Sequence, residues 1–288
     1  MMRFGNLSEA RSIAPPDVTK SRAEQCFALR YQCRRCCHTV AALVFAAFTW
    51  GAAAADFHAA PAIFDGVLKL FVKDARVDYA ALKAQPGELN HYLEELANIP
   101  PAEFERWPEN ERLACLINLY NATTLKLIAD NYPLKSIRNL GVLPGAAWRA
   151  FTVRFGGQLL TLDHLENKII RVNYHESRIH FALVCAALGC PPLRSEAYTG
   201  ARLNEQLDDQ ARQFFNEPTK NRFDAAKNTL YLSPIFKWYE ADFTKPAGSL
   251  AAYAKTFLPA TQRAALTEVG KVKVRFTDYD WALNEQSR

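Results

Sequence analysis

A long apolar-rich stretch, PENERLACLINLYNATTLKLIAD (residues 108–130), decides the fold. Pro108 followed by Glu109 is typical of a helix start, and Asn131-Tyr132-Pro133 is typical of a helix end. The part from Cys115 to Asn121 is apolar nearly all round, which is typical of a helix buried inside a protein. The pattern therefore predicts a long, buried helix.

Two amides interrupt the apolar surface of this helix. Asn118 and Asn121 are three residues apart and so share a face. A buried amide that finds no hydrogen-bond partner costs ~1–3 kcal/mol. One interpretation is a structural network that fixes a neighbouring loop. The other makes one of the two an orienting group or an oxyanion donor in a binding site.

The rest of the chain after residue 56 alternates irregularly between helices and hairpins. Phe151–Leu160 alternates around Gly156-Gly157, which is a hairpin signal, because two glycines accept the positive φ of a tight turn. We expect an α+β fold, a helix-rich single domain with short antiparallel hairpins, of which a papain- or transglutaminase-like arrangement is one version. The second hairpin is expected at residues 223–232 and a strand at 272–276. Further helices are expected at 61–72, 86–97, 161–171, 199–215, 249–258 and 261–269, and another begins at 233.

The most distinctive stretch is RIHFALVCAALGCPPL (residues 178–193). An apolar run leads to Cys185, and a Gly-Cys-Pro-Pro loop follows. A cysteine reacts as its thiolate, and a neighbouring histidine such as His180 lowers the thiol pKa. On a strand, however, the two residues face opposite sides, and on a helix they are roughly 140° apart. If Cys185 has a base, a bend or another segment has to bring it close.

Three other interpretations of this stretch remain open. In an oxidising compartment Cys185 and Cys190 are the natural disulfide pair, which leaves Cys115 as a buried free thiol. The stretch can also be ordinary core. A metal site of His180, Cys185 and Cys190 lacks a fourth ligand, so no metal is expected.

Two clusters lie outside this stretch. Glu166 follows the first hairpin and is a candidate to orient His180, the alternative being a solvated helix face. Trp238 and Tyr239, together with the segment 279–281, concentrate aromatic side chains. Such a cluster forms either core or the wall of a binding groove.

The N-terminal part has the features of a secretory signal. Arginines at 30, 34 and 35 precede an uncharged run over residues 39–55 that ends in three alanines before Asp56. We expect cleavage before Asp56, so that residues 1–55 are extension and signal and 56–288 one periplasmic or secreted domain. The alternative is that residues 39–55 stay uncleaved as a membrane anchor. Membrane contact is expected only through this segment.

The charge distribution argues against nucleic-acid binding. Residues 1–55 carry 7 of the 35 Lys and Arg and 3 of the 30 Asp and Glu, so the remaining chain has a net charge of +1 rather than +5. A nucleic-acid binder concentrates basic residues in its working domain. Since that domain has no Lys/Arg cluster, no nucleic-acid partner is expected.

From Val77 to Asn284 the chain resembles the family called domain of unknown function 547. The motifs that carry the resemblance are Val77-Asp78-Tyr79, the segments 117–118, 120–125, 132–133, 135–138, 162–166, 178–186, 189–194, 235–239, 242–243 and 279–284. The resemblance implies a bacterial exported protein without an assigned activity or established catalytic residues. Two positions depart from the pattern: Cys115 replaces a usual aromatic, and Asn167 stands where a histidine commonly follows the glutamate.

Two functions fit these residues. The first is a cysteine hydrolase or acyltransferase of the papain or transglutaminase kind, acting on a peptide or amide bond. Cys185 is its nucleophile and His180 its base, with Glu166, Asn118 or Asn121 orienting that base. The second is a non-catalytic domain, stapled by a Cys185–Cys190 disulfide, that binds a peptide or glycan along its aromatics. The ligand is an unidentified small molecule or peptide, and the absence of nucleotide and metal motifs predicts no cofactor.

Overall fold

A computed structural model describes residues 60–143 and 145–287 of the chain. The predicted signal segment and the cleavage site before Asp56 lie outside these residues. Within the described ranges, no helix is long and apolar enough to span a membrane.

The predicted long helix is α5, Glu109–Asn131, and it forms the centre of the larger hydrophobic cluster. Nearly every residue from Leu113 to Ala129 is buried, as the apolar pattern predicts. Two N-terminal helices, α1 (Ala60–Phe71) and α3 (Gly87–Ala97), pack against each other and against α5. Their contact includes stacked rings of Phe64 and Tyr92, with centroids 4.9 Å apart.

The remaining helices are short. The segment after the first hairpin is continuous but changes type: α7, Leu162–His164, passes through a π-helical stretch, Leu165–Ile170, into α8, Arg171–Asn173. The others are α2 (Tyr79–Ala84), α4 (Pro101–Phe104), α6 (Ala146–Ala150), α9 (Ile179–Ala182), α10 (Leu203–Phe215), α11 (Ile235–Trp238), α12 (Glu240–Ala247), α13 (Leu250–Phe257) and α14 (Ala260–Ala265). Of these, α2, α4, α6 and α9 lie where the sequence predicts no helix.

The strands form three small sheets. The first pairs β1 (Val72–Lys73) with β2 (Arg76–Val77), and the second pairs β3 (Thr152–Phe155) with β4 (Gln158–Thr161), both antiparallel. The third has β5 (Arg222–Asp224) antiparallel to β6 (Thr229–Leu232), with β7 (Lys273–Phe276) parallel to β6.

Both predicted hairpins are confirmed. Gly156 and Gly157 have φ of +55° and +74° in the turn between β3 and β4, as the Gly-Gly signal predicts. The expected helix over 261–269 is shorter, because α14 ends at Ala265. The structure is helix-rich with short antiparallel strand pairs, so the predicted α+β class is confirmed.

A second hydrophobic cluster lies beside the α5 cluster and is rich in phenylalanine. Phe181 of α9 is its hub and contacts Phe214, Phe236 and Phe243, with ring centroids 5.4–5.7 Å away. His180 lies next to this hub in sequence, and residues 182–187 return to the α5 cluster. The distinctive stretch therefore joins the two clusters.

Candidate functional site

The backbone leading to Cys185 is held by an amide from α5. Asn121 donates from Nδ2 to the Ala182 carbonyl at 2.9 Å, and its Oδ1 accepts from the Val184 amide at 2.9 Å. These bonds satisfy a stretch where helix α9 has ended and Leu183 is extended. Asn121 thus fixes the position of the residues just before Cys185.

The backbone after Cys185 is held by the C-terminal segment. The Leu188 amide donates to the Ala282 carbonyl and the Gly189 amide to the Asp280 carbonyl, both at 2.8 Å. A Cβ on Gly189 would lie only 2.9 Å from the Asp280 amide nitrogen, so this close approach requires glycine. The pairing brings the side chain of Tyr279 against the cysteines.

Cys185 and Cys190 form a pair capable of a disulfide, with Cα atoms 6.3 Å apart. The Cys185 amide also donates to the Cys190 sulfur at 3.0 Å. The Tyr279 hydroxyl donates to the Cys190 sulfur at 3.2 Å and lies 3.1 Å from the Cys185 sulfur. Burial raises the pKa of Tyr279 well above its usual value, so this hydroxyl keeps its proton and remains a donor.

A cavity of about 220 Å³ opens beside the cysteine pair. Trp238 stands at its edge, 48% exposed, with its ring centroid 4.8 Å from that of Tyr279 and 5.9 Å from that of Trp281. Trp238 and Tyr239, which the sequence leaves as either core or the wall of a binding groove, both line the cavity. The aromatic residues of the lining are Tyr120, Trp148, Trp238, Tyr239, Tyr279 and Trp281.

Glu166 lines the same cavity from the π-helical stretch. Burial, and after it the negative charge of the Glu166 carboxylate, raises the pKa of the neighbouring Tyr120 and Tyr239. The expectation of a solvated helix face is wrong, since Glu166 is only 6% exposed.

His180 is hydrogen-bonded to Asp242, not to Glu166 or to Cys185. Its Nε2 lies 2.8 Å from Asp242 Oδ2, and the Nε of Arg171 donates to the same oxygen at 2.7 Å. These partners, the His180 hydrogen bond first, hold the pKa of Asp242 well below its usual range. Because this carboxylate accepts, Nε2 carries the proton of the contact. The predicted orienting role of Glu166 is therefore corrected in favour of Asp242.

The other contacts of His180 are packing contacts with aromatic rings. Its ring stacks on Tyr239 with centroids 4.0 Å apart, and its side chain is 1% exposed although it borders the cavity. The sulfur of Cys185 has Cys190 and Tyr279 as its partners within the described residues. The hypothesised Cys185–His180 hydrogen bond is thus not formed here.

Asn118 and Cys115 belong to another part of the molecule. Asn118 Nδ2 donates to the Tyr198 carbonyl at 2.8 Å, and its Oδ1 accepts from the Tyr198 amide at 2.9 Å. With 1% and 3% exposure, Asn118 and Asn121 confirm the interpretation as a structural network, and neither lines the cavity beside Cys185. Cys115 is a free, half-buried cysteine, and burial raises the pKa of its thiol to about 12.

Sequence reasoning missed three contributors to the site. Asp242 was part of a recognised motif, but nothing in the sequence indicates its contact with His180, 62 residues earlier. Tyr120 belongs to the buried helix and Trp148 to the short helix α6, so both patterns indicate only core. Among the described residues, no cluster of His, Cys, Asp and Glu could hold a metal ion.

The stretch that holds the Asn118/Asn121 helix and the cysteine pair also carries a family match. Residues 104–215 match the family described as "Protein of unknown function, DUF547". The match supports the resemblance indicated by the motifs, and it ends before Trp238, Asp242 and Tyr279. No curated protein and no solved structure matches the chain.

Proposed function

We propose that the cavity beside Cys185 binds a small ligand or a short segment of a larger one. An oxidised Cys185–Cys190 pair forms one wall of this site. The observation that carries the proposal is the convergence of six aromatic side chains around one buried carboxylate, that of Glu166. Ligand sites are typically concave and mostly apolar, with a few well-placed polar groups that fix orientation.

The aromatic walls supply the contact area. Trp238, Tyr279 and Trp281 lie in mutual contact, with centroid distances of 4.6–5.9 Å. Aromatic side chains bury large areas and have few rotatable bonds, so little conformational entropy is lost when a ligand packs on them. A peptide side chain or a sugar ring suits such a surface.

The cysteine pair gives the site rigidity. A disulfide between residues five apart holds the Ala186–Gly189 turn, where Ala186 has a φ of +58°. The Tyr279 hydroxyl is anchored on the two sulfurs. A site fixed in its binding shape before the ligand arrives loses less entropy on binding.

Tryptophan fluorescence provides the test, because three of the five tryptophans of the chain line the cavity. The protein is titrated with a panel of short peptides and oligosaccharides. For any probe that quenches, Trp238→Leu should weaken binding by about tenfold through lost ring contacts.

The matched control is Trp107→Leu, which changes a tryptophan that lines a different cavity. It should leave the affinity unchanged. Equal losses in both variants, or no quenching by any member of the panel, would contradict the binding proposal.

A second candidate is the cysteine hydrolase or acyltransferase. The observation in its favour is that the sulfur of Cys185 borders the cavity and is partly exposed. In the reduced protein its thiolate would attack the carbonyl carbon, and the departing amine would need a proton. It ranks second because His180, the candidate donor of that proton, is bound to Asp242 and makes no contact with Cys185.

A further inference from the structure

We propose that the ligand of the Cys185 cavity carries an organic cation, an alkylated ammonium group. This inference rests on the proposed binding function and names the chemical class of the ligand. Three features carry it: the charge of the lining, the burial of Glu166 in the cavity wall and the aromatic side chains around it.

The charged groups of the lining are acidic. Asp163 and Glu166 border the cavity, and none of the described residues that line it is Lys or Arg. His180 borders it as well but is engaged by Asp242. Two carboxylates without a basic partner in the lining favour a positively charged occupant.

Glu166 is a buried carboxylate in the cavity wall, 6% exposed. A carboxylate offers about four lone-pair sites, and the negative charge of this one, next to burial, raises the pKa of the neighbouring Tyr120 and Tyr239. A buried carboxylate is costly unless a positive charge compensates it. The Arg171 guanidinium is affected by the Glu166 charge but is hydrogen-bonded to Asp242 and Asn167. An ammonium group in the cavity would complete the compensation.

The aromatic faces suit the same group. The lining includes three indole rings, those of Trp148, Trp238 and Trp281, and indole is the best side chain for binding a cation over its ring. The molecule already uses this interaction nearby: Arg138 lies 5.2 Å from the ring centroid of Trp281, and Arg171 lies 4.9 Å from that of Tyr239. An anion would meet two carboxylates and the negative faces of the rings.

The test uses three probes of the same shape and different charge: choline, 3,3-dimethyl-1-butanol and 3,3-dimethylbutyrate. Each is titrated into the full chain and followed by tryptophan fluorescence at low and high salt. Choline should bind about tenfold more tightly than the neutral alcohol, and the carboxylate more weakly than both.

Three variants that each remove one carboxylate charge test which carboxylate the cation contacts. Glu166→Gln should weaken choline binding by about tenfold and leave the alcohol unaffected. Asp163→Asn, at a partly exposed residue, should give a smaller loss and serves if the buried substitution impairs folding. Glu268→Gln makes the same charge change at an exposed surface ion pair and should have no effect.

Several outcomes would overturn the inference: equal affinity for choline and the alcohol, preference for the carboxylate, no choline binding, or choline binding unchanged in both acidic variants. If one of these outcomes is found but peptides or oligosaccharides still bind, and bind more weakly to Trp238→Leu, only the cation inference is wrong. If nothing binds, the proposed function fails with it.

Discussion

The cavity lined by Cys115 and the cavity lined by Cys185 make an instructive comparison. The Cys115 cavity, about 310 Å³, and the Cys185 cavity, about 220 Å³, each have aromatic walls and an acidic residue in the lining. In the first, the cysteine belongs to the regular helix α5, and burial raises its pKa to about 12, so the thiol stays protonated. In the second, the cysteine lies in irregular backbone beside another sulfur and the Tyr279 hydroxyl.

The difference lies in how the backbone is used. A regular helix satisfies its own polar groups, and Cys115 needs nothing from other segments. Cys185 lies where the chain has left a helix, so its neighbours are hydrogen-bonded to Asn121 on one side and to residues 280–284 on the other. Because the irregular backbone around Cys185 is hydrogen-bonded on both sides, it holds the cysteine pair beside the cavity.

The largest expected effect comes from removing the amide that holds this backbone. Asn121→Leu leaves the buried Ala182 carbonyl and Val184 amide without partners. The free energy of unfolding should fall by about 2–4 kcal/mol, measured by urea denaturation. Ligand binding and resistance of the cysteine pair to reduction should fall with it.

Asn118→Leu is the matched control, because it orphans the two polar backbone groups of Tyr198 in the Cys115 region. It should cost a similar ~1–3 kcal/mol per orphaned group in stability. At temperatures where both variants are folded, ligand binding should survive in Asn118→Leu. If the two variants lose binding equally, the distinction between the two regions is wrong.

A smaller effect is expected from removing the cysteine pair. The double change of Cys185 and Cys190 to alanine opens a short loop, and closing such a loop stabilises by about 2 kcal/mol in the chain-entropy account. Denaturation of protein prepared without reductant measures this loss. Wild-type protein should lose the same amount in dithiothreitol, whereas Cys115→Ala should show an undiminished response to it. A wild-type stability that is insensitive to reductant would contradict an oxidised pair.

The smallest effect concerns the pH dependence of stability. The pKa of Asp242 is held below its usual range chiefly by the His180 hydrogen bond. A group with a depressed folded pKa stabilises above its unfolded value, about 3.9, and this contribution is lost as pH falls toward the folded value. Asp242→Asn should therefore flatten the fall of stability below about pH 4. A melting profile with the same acid-side slope as wild type would refute the linkage.

The sequence predicts those features that depend on neighbouring residues. The buried face of α5, the Gly156-Gly157 turn and the need of Asn118 and Asn121 for partners all follow from local pattern. The contact of Asp242 with His180 and the parallel pairing of β7 with β6 join residues 40 or more apart, and local pattern carries no record of them. The sequence predicts the pairing of Cys185 with Cys190 only in part, since their spacing allows both a disulfide and a free nucleophile.

The oxidation state of that pair tests the account most directly. The full chain, purified without reductant, is alkylated with iodoacetamide, digested with trypsin and measured by mass spectrometry. The peptide of residues 179–194 contains both Cys185 and Cys190. It should carry no alkyl group and be lighter than the dithiol by two hydrogen atoms, while Cys115 is found as a thiol. The contrary result is a Cys185 that is alkylated fastest, with a rate midpoint below the free-thiol pKa of about 8.5. That outcome would replace the stapled binding site with a cysteine nucleophile.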